Sequence, residues 1–305
     1  MSNKSPAELP AAQSPTVSQA RWLVLIAALM WSTSGFFVKS PHLADWSGPS
    51  LAFWRAAFAC LALWPLVRRP RWSWSLVPMM FLFVGMNYTY LTAMVKGSAA
   101  NAIWLQCTAP VWVLLVGVFV FGERAIFRDW VMVACAAIGI GTIVYFESQG
   151  LALDAALWAL ASSLFYAGVV LSLRQLRKFN PVWMAALNLL ATAVILAPFA
   201  LAKSNFHLPC GVQWLYLAAF GILQMGTPYV LFAFGLKRIP GHEATAISLV
   251  EPLLNPTWVL LAWGDKPAWW TLVGGLWILI GLAIRYAWPS RTETDDDFEG
   301  QPSAT

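Results

Sequence analysis

Residues 97–124, GSAANAIWLQCTAPVWVLLVGVFVFGER, constrain the fold of this 305-residue chain more than any other stretch. They read as one apolar helix with a proline in its middle, Pro110, ending in a Gly-Glu-Arg corner. A shift of 142 residues returns the pattern at 239–266, IPGHEATAISLVEPLLNPTWVLLAWGDK. Under that shift Ala102 falls on Ala244, Pro110 on Pro252, Gly122 on Gly264, Glu123 on Asp265 and Arg124 on Lys266. The register continues to Gly139 and Gly281. Proline, glycine and charged corner coinciding at one spacing mark an internal duplication.

The duplicated unit belongs in a membrane. The chain is 59% hydrophobic and 11% charged, with 19 Trp. A soluble domain is roughly half apolar and about a quarter charged, so too few polar residues remain here to cover a water-soluble globule. The net charge of +5 comes from bases scattered between apolar runs. They form no basic and aromatic patch, and no nucleic-acid partner is expected. Cys60, Cys107 and Cys135 lie inside apolar runs and Cys210 stands alone in a loop, which supports neither a disulfide framework nor a metal site.

Ten apolar segments follow one another, at about 21–39, 48–67, 74–95, 98–121, 129–146, 154–175, 181–202, 213–236, 242–263 and 268–287. Each approaches the ~20 residues that a helix needs to cross the hydrocarbon core. The short links hold Pro, Gly, Asn and charges, whose backbone groups need water, so they lie at the membrane surfaces. Fourteen of the 19 basic residues fall on the side of the amino terminus and only Lys39, Lys96, Lys203 and Lys266 on the other, with Arg55 inside a span. That bias predicts both termini in the cytoplasm and a multi-pass protein of the cell (inner) membrane, with the lipid bilayer as partner.

The expected fold is all-α and polytopic: ten transmembrane helices as two inverted five-helix repeats. Five is odd, so the second copy enters the bilayer upside down relative to the first. The expected divisions are a disordered tail at 1–20, a first repeat at 21–147, a linker at 148–153, a second repeat at 154–288 and an acidic tail at 289–305 with Asp295, Asp296 and Asp297. A weaker echo at a shift of 135 lays Trp31–Lys39 over Tyr166–Arg174.

The pieces MWSTSGFFVKS (30–40), AANAIWLQCTAPVWVLLVGVFVFGER (99–124) and HEATAISLVEPLLNPTWVLLAWGD (242–265) resemble the two halves of an EamA-type transporter of the drug/metabolite transporter superfamily. The resemblance covers residues 21–288. It implies a central cavity formed by helices 1, 3, 4, 6, 8 and 9, alternating access, and export of small metabolites or amino acids. Asp265 departs from the family's usual Glu after the Gly but keeps its charge.

Glu251 is the outstanding candidate. It lies near the middle of segment 9, where a carboxylate costs roughly 3 kcal/mol on insertion scales. Thr245, Ser248, Glu251, Asn255 and Trp258 follow at three or four residues and share one helical face. Pro252 and Pro256 free backbone carbonyls beside them. Glu251 reads either as a proton-coupling or amine-binding group, or as a protonated carboxyl that ties helices together. Arg55, a little over one turn inside segment 2, has a short reach to the interface and is expected to snorkel there; the other reading is a contact to a substrate carboxylate.

Further cavity candidates are Trp31 and Ser34 on segment 1, Asn87 and Tyr90 on segment 3, Asn101, Trp104 and Gln106 on segment 4, Tyr166 on segment 6, and Gln224 and Tyr229 on segment 8. Aromatic walls with few polar groups suit a medium-sized, partly apolar small-molecule substrate. Ala137 and Gly141 on segment 5, with Gly274, Gly275 and Gly281 on segment 10, suggest close packing and a candidate homodimer face. No Gly-x-Ser-x-Gly or His-Glu-x-x-His occurs, and no phosphate-binding loop, so neither an enzyme, nor direct ATP use, nor a cofactor is expected.

Overall fold

The computed structural model describes residues 16–68, 70–150, 152–202 and 208–286. The acidic tail at 289–305, most of the amino-terminal tail, Leu151 of the linker and Lys203 lie outside the described residues. Among the described residues every regular element is helical. Ten helical stretches are long and apolar enough to cross a membrane: Val17–Val38, Gly48–Leu66, Leu76–Lys96, Ala99–Phe121, Phe127–Ser148, Leu153–Gln175, Pro181–Ala200, Val212–Gly235, Glu243–Trp263 and Trp269–Tyr286. They are numbered spans 1 to 10. Span 1 begins earlier than the sequence suggests. The Thr16 side chain accepts from the Gln19 N–H while Gln19 Oε1 accepts from the Thr16 N–H, a capping box that makes residues 17–20 the first helical turn rather than tail.

The spans pack mainly across the two halves. Span 3 lies against span 6 and span 8 against span 1; span 4 also meets span 6 and span 9 also meets span 1; span 2 pairs with span 7 and span 5 with span 10. Exchanging each span with the one five places on maps this pattern onto itself, as an inverted pair of halves requires. The halves interlock, so neither has a core of its own.

Four spans are interrupted, each for an identifiable reason. Span 4 is split into Ala99–Gln106 and Ala109–Phe121, span 9 into Gly241–Ser248 and Val250–Trp263. The leading pieces match residue for residue at the 142 shift. Pro110 and Pro252 have no N–H to give to the carbonyls four residues back, which belong to Gln106 and Ser248, the last residues of those pieces. Both spans end on glycine in the left-handed region, Gly122 at φ 69° and Gly264 at φ 71°, where a side chain would be strained. Span 1 breaks after Trp31 without a proline. There Ser32 Oγ donates to Leu29 O and Thr33 Oγ1 to Met30 O, both at 2.7 Å, and these bonds compete with the helical ladder. Span 8 widens into a π-turn at Ile222–Gly226.

Spans 5 and 10 form the tightest pair outside this central group. A Cβ on Gly139 would sit on the Gly274 carbonyl, and one on Gly281 would meet Cys135. Arg285 closes the pair against Asp129 at 2.5 Å. Gly139, and not the expected Ala137 and Gly141, supplies the contact on span 5; those two face outward. The reason is the tightness of the crossing: with Gly139 on the line facing Gly274, the helix period carries 137 and 141 away from it.

Candidate transport chamber

The broken helices meet at the middle of the bundle. Span 9 is stitched along the break in span 1: Asn255 Nδ2 donates to Ser34 Oγ at 2.6 Å, Trp258 Nε1 to Ser32 Oγ at 2.9 Å, and Trp263 Nε1 to Phe36 O at 2.8 Å. Ser34 Oγ also shares a 3.0 Å hydrogen bond with Tyr90 Oη of span 3. Gly35 permits this approach, because a Cβ there would meet the Asn255 side chain, Val259 and Ala99.

Beyond these bonds, on the face where span 1 ends, the bundle is shut by aromatic rings. Phe36 stacks on Trp263 at 5.2 Å, Phe37 stacks on Phe220 at 5.2 Å, and Tyr216 lies edge-on to Phe37. Gln213 Nε2 donates to His42 O at 3.0 Å and Lys39 Nζ to Gly97 O at 2.6 Å, pinning the end of span 1 to spans 8 and 3. Burial holds the Lys39 ammonium below the usual lysine range, an effect that the nearby Asp265 carboxylate partly offsets.

Towards the face where span 1 begins, the walls are looser. Trp31, Gln106, Cys107, Tyr229, Ser248 and Glu251 are half-buried, and Tyr166 is 40% exposed. The Glu251 carboxylate stands within Coulombic range of Tyr90, Cys107, Tyr166 and Tyr229, from spans 3, 4, 6 and 8. Trp31 meets Tyr229 edge-on at 5.4 Å. Residues of spans 1, 3, 4, 6, 8 and 9 thus gather around Glu251 at this level of the bundle. Among the described residues neither Gln106 nor Glu251 makes a side-chain hydrogen bond or ion pair. Ser248 Oγ bonds back to Ala244 O at 2.9 Å, and Thr245 likewise to Gly241 O.

Two expected cavity residues point elsewhere. Asn101 Nδ2 donates to Glu147 Oε1 at 2.6 Å, an oxygen that also accepts from Trp270 Nε1, so Asn101 ties span 4 to spans 5 and 10. Trp104 is buried over Gly275 and donates from Nε1 to Pro252 O at 2.7 Å. It takes up the carbonyl beside the span 9 break and fastens span 4 to spans 9 and 10.

Arg55 does not snorkel. It is 3% exposed and donates to Asn87 Oδ1 and, at 3.4 Å, to Gln224 Oε1, with the Phe220 ring 5.0 Å beneath the guanidinium. Its neighbours Ala52, Ala56 and Ala59 are all buried. Small residues at three- and four-residue spacing mark the packed face of span 2, and that signal places Arg55 inside. Phe36, Tyr216 and Phe220 lay outside the sequence-based candidates because an aromatic residue in an apolar span has no distinguishing pattern.

No cluster of side chains suited to a metal ion occurs among the described residues. What the chamber offers is one unpaired carboxylate, one amide, several hydroxyls and aromatic walls. The half-buried residues lie towards the face where span 1 begins and the aromatic layer towards the other.

Comparison with known proteins agrees with this geometry. The EamA-like transporter family model matches the chain twice, over residues 19–145 and 153–286. A protein of Archaeoglobus fulgidus named as an uncharacterized transporter is 27% identical over 274 residues, 87% of this chain and 94% of its own length. The pseudopaline exporter CntI of Pseudomonas aeruginosa is 26% identical over 269 residues, 85% of this chain and 92% of its own. One crystal structure shares the fold, with a TM-score of 0.66 at 20% identity, over 90% of this chain and all of that one. The chain therefore belongs to the EamA-like transporter family and is a multi-pass membrane transporter.

Proposed function

We propose that this protein exports small organic solutes, metabolites or amino acids among them, from the cytoplasm by alternating access, with proton movement coupled through Glu251. The observation that carries the reading is the state of Glu251. It is mid-span, half-buried at the break of span 9, and without a partner among the described residues. A carboxylate kept in hydrocarbon surroundings without a protein partner is a group that exchanges protons or meets a charged solute.

The distribution of bases supports a cytoplasmic position for both termini in the cell membrane, and with it a chamber that opens to the cytoplasm and is sealed outside by the Phe36–Trp263 and Phe37–Phe220 layer. The name of the pseudopaline exporter, a relative along most of the chain, supports the outward direction. The broken, mirrored helices supply the hinge points of such a cycle.

The test is untargeted analysis of the medium around cells producing the wild type or Glu251→Gln at matched levels. A solute class that accumulates outside only with the wild type is the expected result. Media that match each other and match cells without the protein sink the export reading. Wild-type flux and pH dependence in Glu251→Gln sink the coupling role alone.

A further inference from the structure

Arg55 is the buried charge that the coupling step leaves unused. Its two amide partners come from equivalent places in the two halves. Asn87 lies eleven residues beyond Leu76, the start of span 3, and Gln224 lies twelve beyond Val212, the start of span 8, with the extra residue taken up in the π-turn. Each amide is held from behind. Asn87 Nδ2 donates to Phe83 O at 2.8 Å and Gln224 Nε2 to Trp31 O at 3.1 Å. Both amide oxygens are therefore fixed towards the guanidinium.

No group in this cradle carries a negative charge. Arg55 Nε is buried without a hydrogen-bond partner, and no ion pair joins Arg55 to Glu251. Tyr90 and Tyr229 are each within Coulombic range of both charges. A cation solvated only by two amides and a ring face inside a bundle lacks the opposite charge with which intramembrane ions are ordinarily paired. In a guanidinium Nε and Nη2 lie along one edge, the fork that a carboxylate accepts with both oxygens, and here Nε is the unpaired member of that edge. Phe220 supplies an apolar floor beside that edge.

We propose that Arg55, steadied by Asn87 and Gln224, is the subsite for the anionic group of the transported solute, so that the cargo is a carboxylate-bearing organic molecule. The proposal rests on the transport reading above and adds the charge of the cargo. Glu251 lies on another span, span 9, and remains available for a proton or for a cationic end of the same solute.

The test is thermal unfolding of the purified full chain with matched acid and amide probes, succinate against succinamide and benzoate against benzamide, and with inorganic phosphate. The acids are expected to raise the midpoint and the amides are not. Arg55→Gln is expected to weaken the apparent acid affinity by about tenfold or more, the loss of a charge-assisted pair, while Arg55→Lys keeps part of it. A wild type with no preference for acid over amide overturns the subsite, as does Arg55→Gln with the preference intact. A response to phosphate alone overturns the carboxylate assignment. Should Arg55→Gln fail to fold, Gln224→Met removes one arm of the cradle, and an unchanged acid preference in that variant overturns the proposal. Binding to purified protein is independent of flux, so an acid preference without export sinks the transport reading alone.

Discussion

The 142-residue repeat carries one proline break into each half, after Gln106 in the first and after Ser248 in the second, and the two breaks are filled differently. At the 142 shift Glu251 occupies the position of Ala109. Ala109 is 1% exposed and packs with Val113 and Ala167, so at this position the first break is closed by small apolar side chains. Glu251 is half-buried and partnerless, so the second break faces the chamber. The positions that shape the backbone, Pro110 with Pro252 and Gly122 with Gly264, are kept in both halves. The position that carries charge is not. Duplication has preserved the break and left the carboxylate to one copy, as the proposed single coupling group requires.

The most severe way to break this comparison is to give the first half the second half's charge. Ala109→Glu places a carboxylate in a closed apolar contact and is expected to cost more than about 3 kcal/mol, with loss of monodisperse protein on gel filtration in detergent. Glu251→Ala is expected to shift the thermal midpoint little while removing coupled transport. If Ala109→Glu folds as well as the wild type, the two breaks are not differently packed and the contrast is void.

A second asymmetry lies one turn away. Trp104 in the first half corresponds to Ala246 in the second, and Trp104 finds room only because residue 275 is glycine. Gly275→Val drives a side chain into the indole and is expected to destabilise by about 3 kcal/mol, the upper end of the overpacking range. Trp104→Phe removes the Nε1 bond to Pro252 O and part of the packed ring, and is expected to cost about 1–2 kcal/mol. Thermal unfolding of both variants orders the two effects; a larger loss in Trp104→Phe would make the bond, not the fit, the seat of the asymmetry.

How much of this was legible beforehand follows the same divide. The ten spans were readable because hydropathy acts locally, and so were the two matching prolines, although span 4 read as one helix and is split after Gln106. The break in span 1 was not readable, since Ser32 and Thr33 look like ordinary small polar residues until their hydroxyls are seen on the Leu29 and Met30 carbonyls. Glu251 declared itself by its depth. Arg55 misled because position along a helix was weighed and the face was not; Ala52, Ala56 and Ala59 held that information. Asn101 and Trp104 sat at chamber depth but turned towards spans 5, 9 and 10, and depth alone carries no direction.

The smallest expected effect tests which face is sealed. At a shift of 135 Lys39 overlies Arg174, and at 142 Glu123 overlies Asp265, so each face carries a corner of one cation and one carboxylate. Arg174 and Glu123 meet at 3.4 Å with about half of each side chain exposed, a pair worth ~0–1 kcal/mol and open to screening by salt. Lys39 is the more enclosed cation, and burial lowers its pKa from 10.5. A lysine lowered on folding binds its proton more tightly in the unfolded chain, so its contribution to stability rises as pH climbs from the folded value towards 10.5. Lys39→Met is therefore expected to flatten the rise in thermal midpoint at alkaline pH, and Arg174→Met is expected to leave it unchanged. Equal flattening by both variants would mean that the two corners are equally enclosed, and the division into a sealed face and an open one would fall.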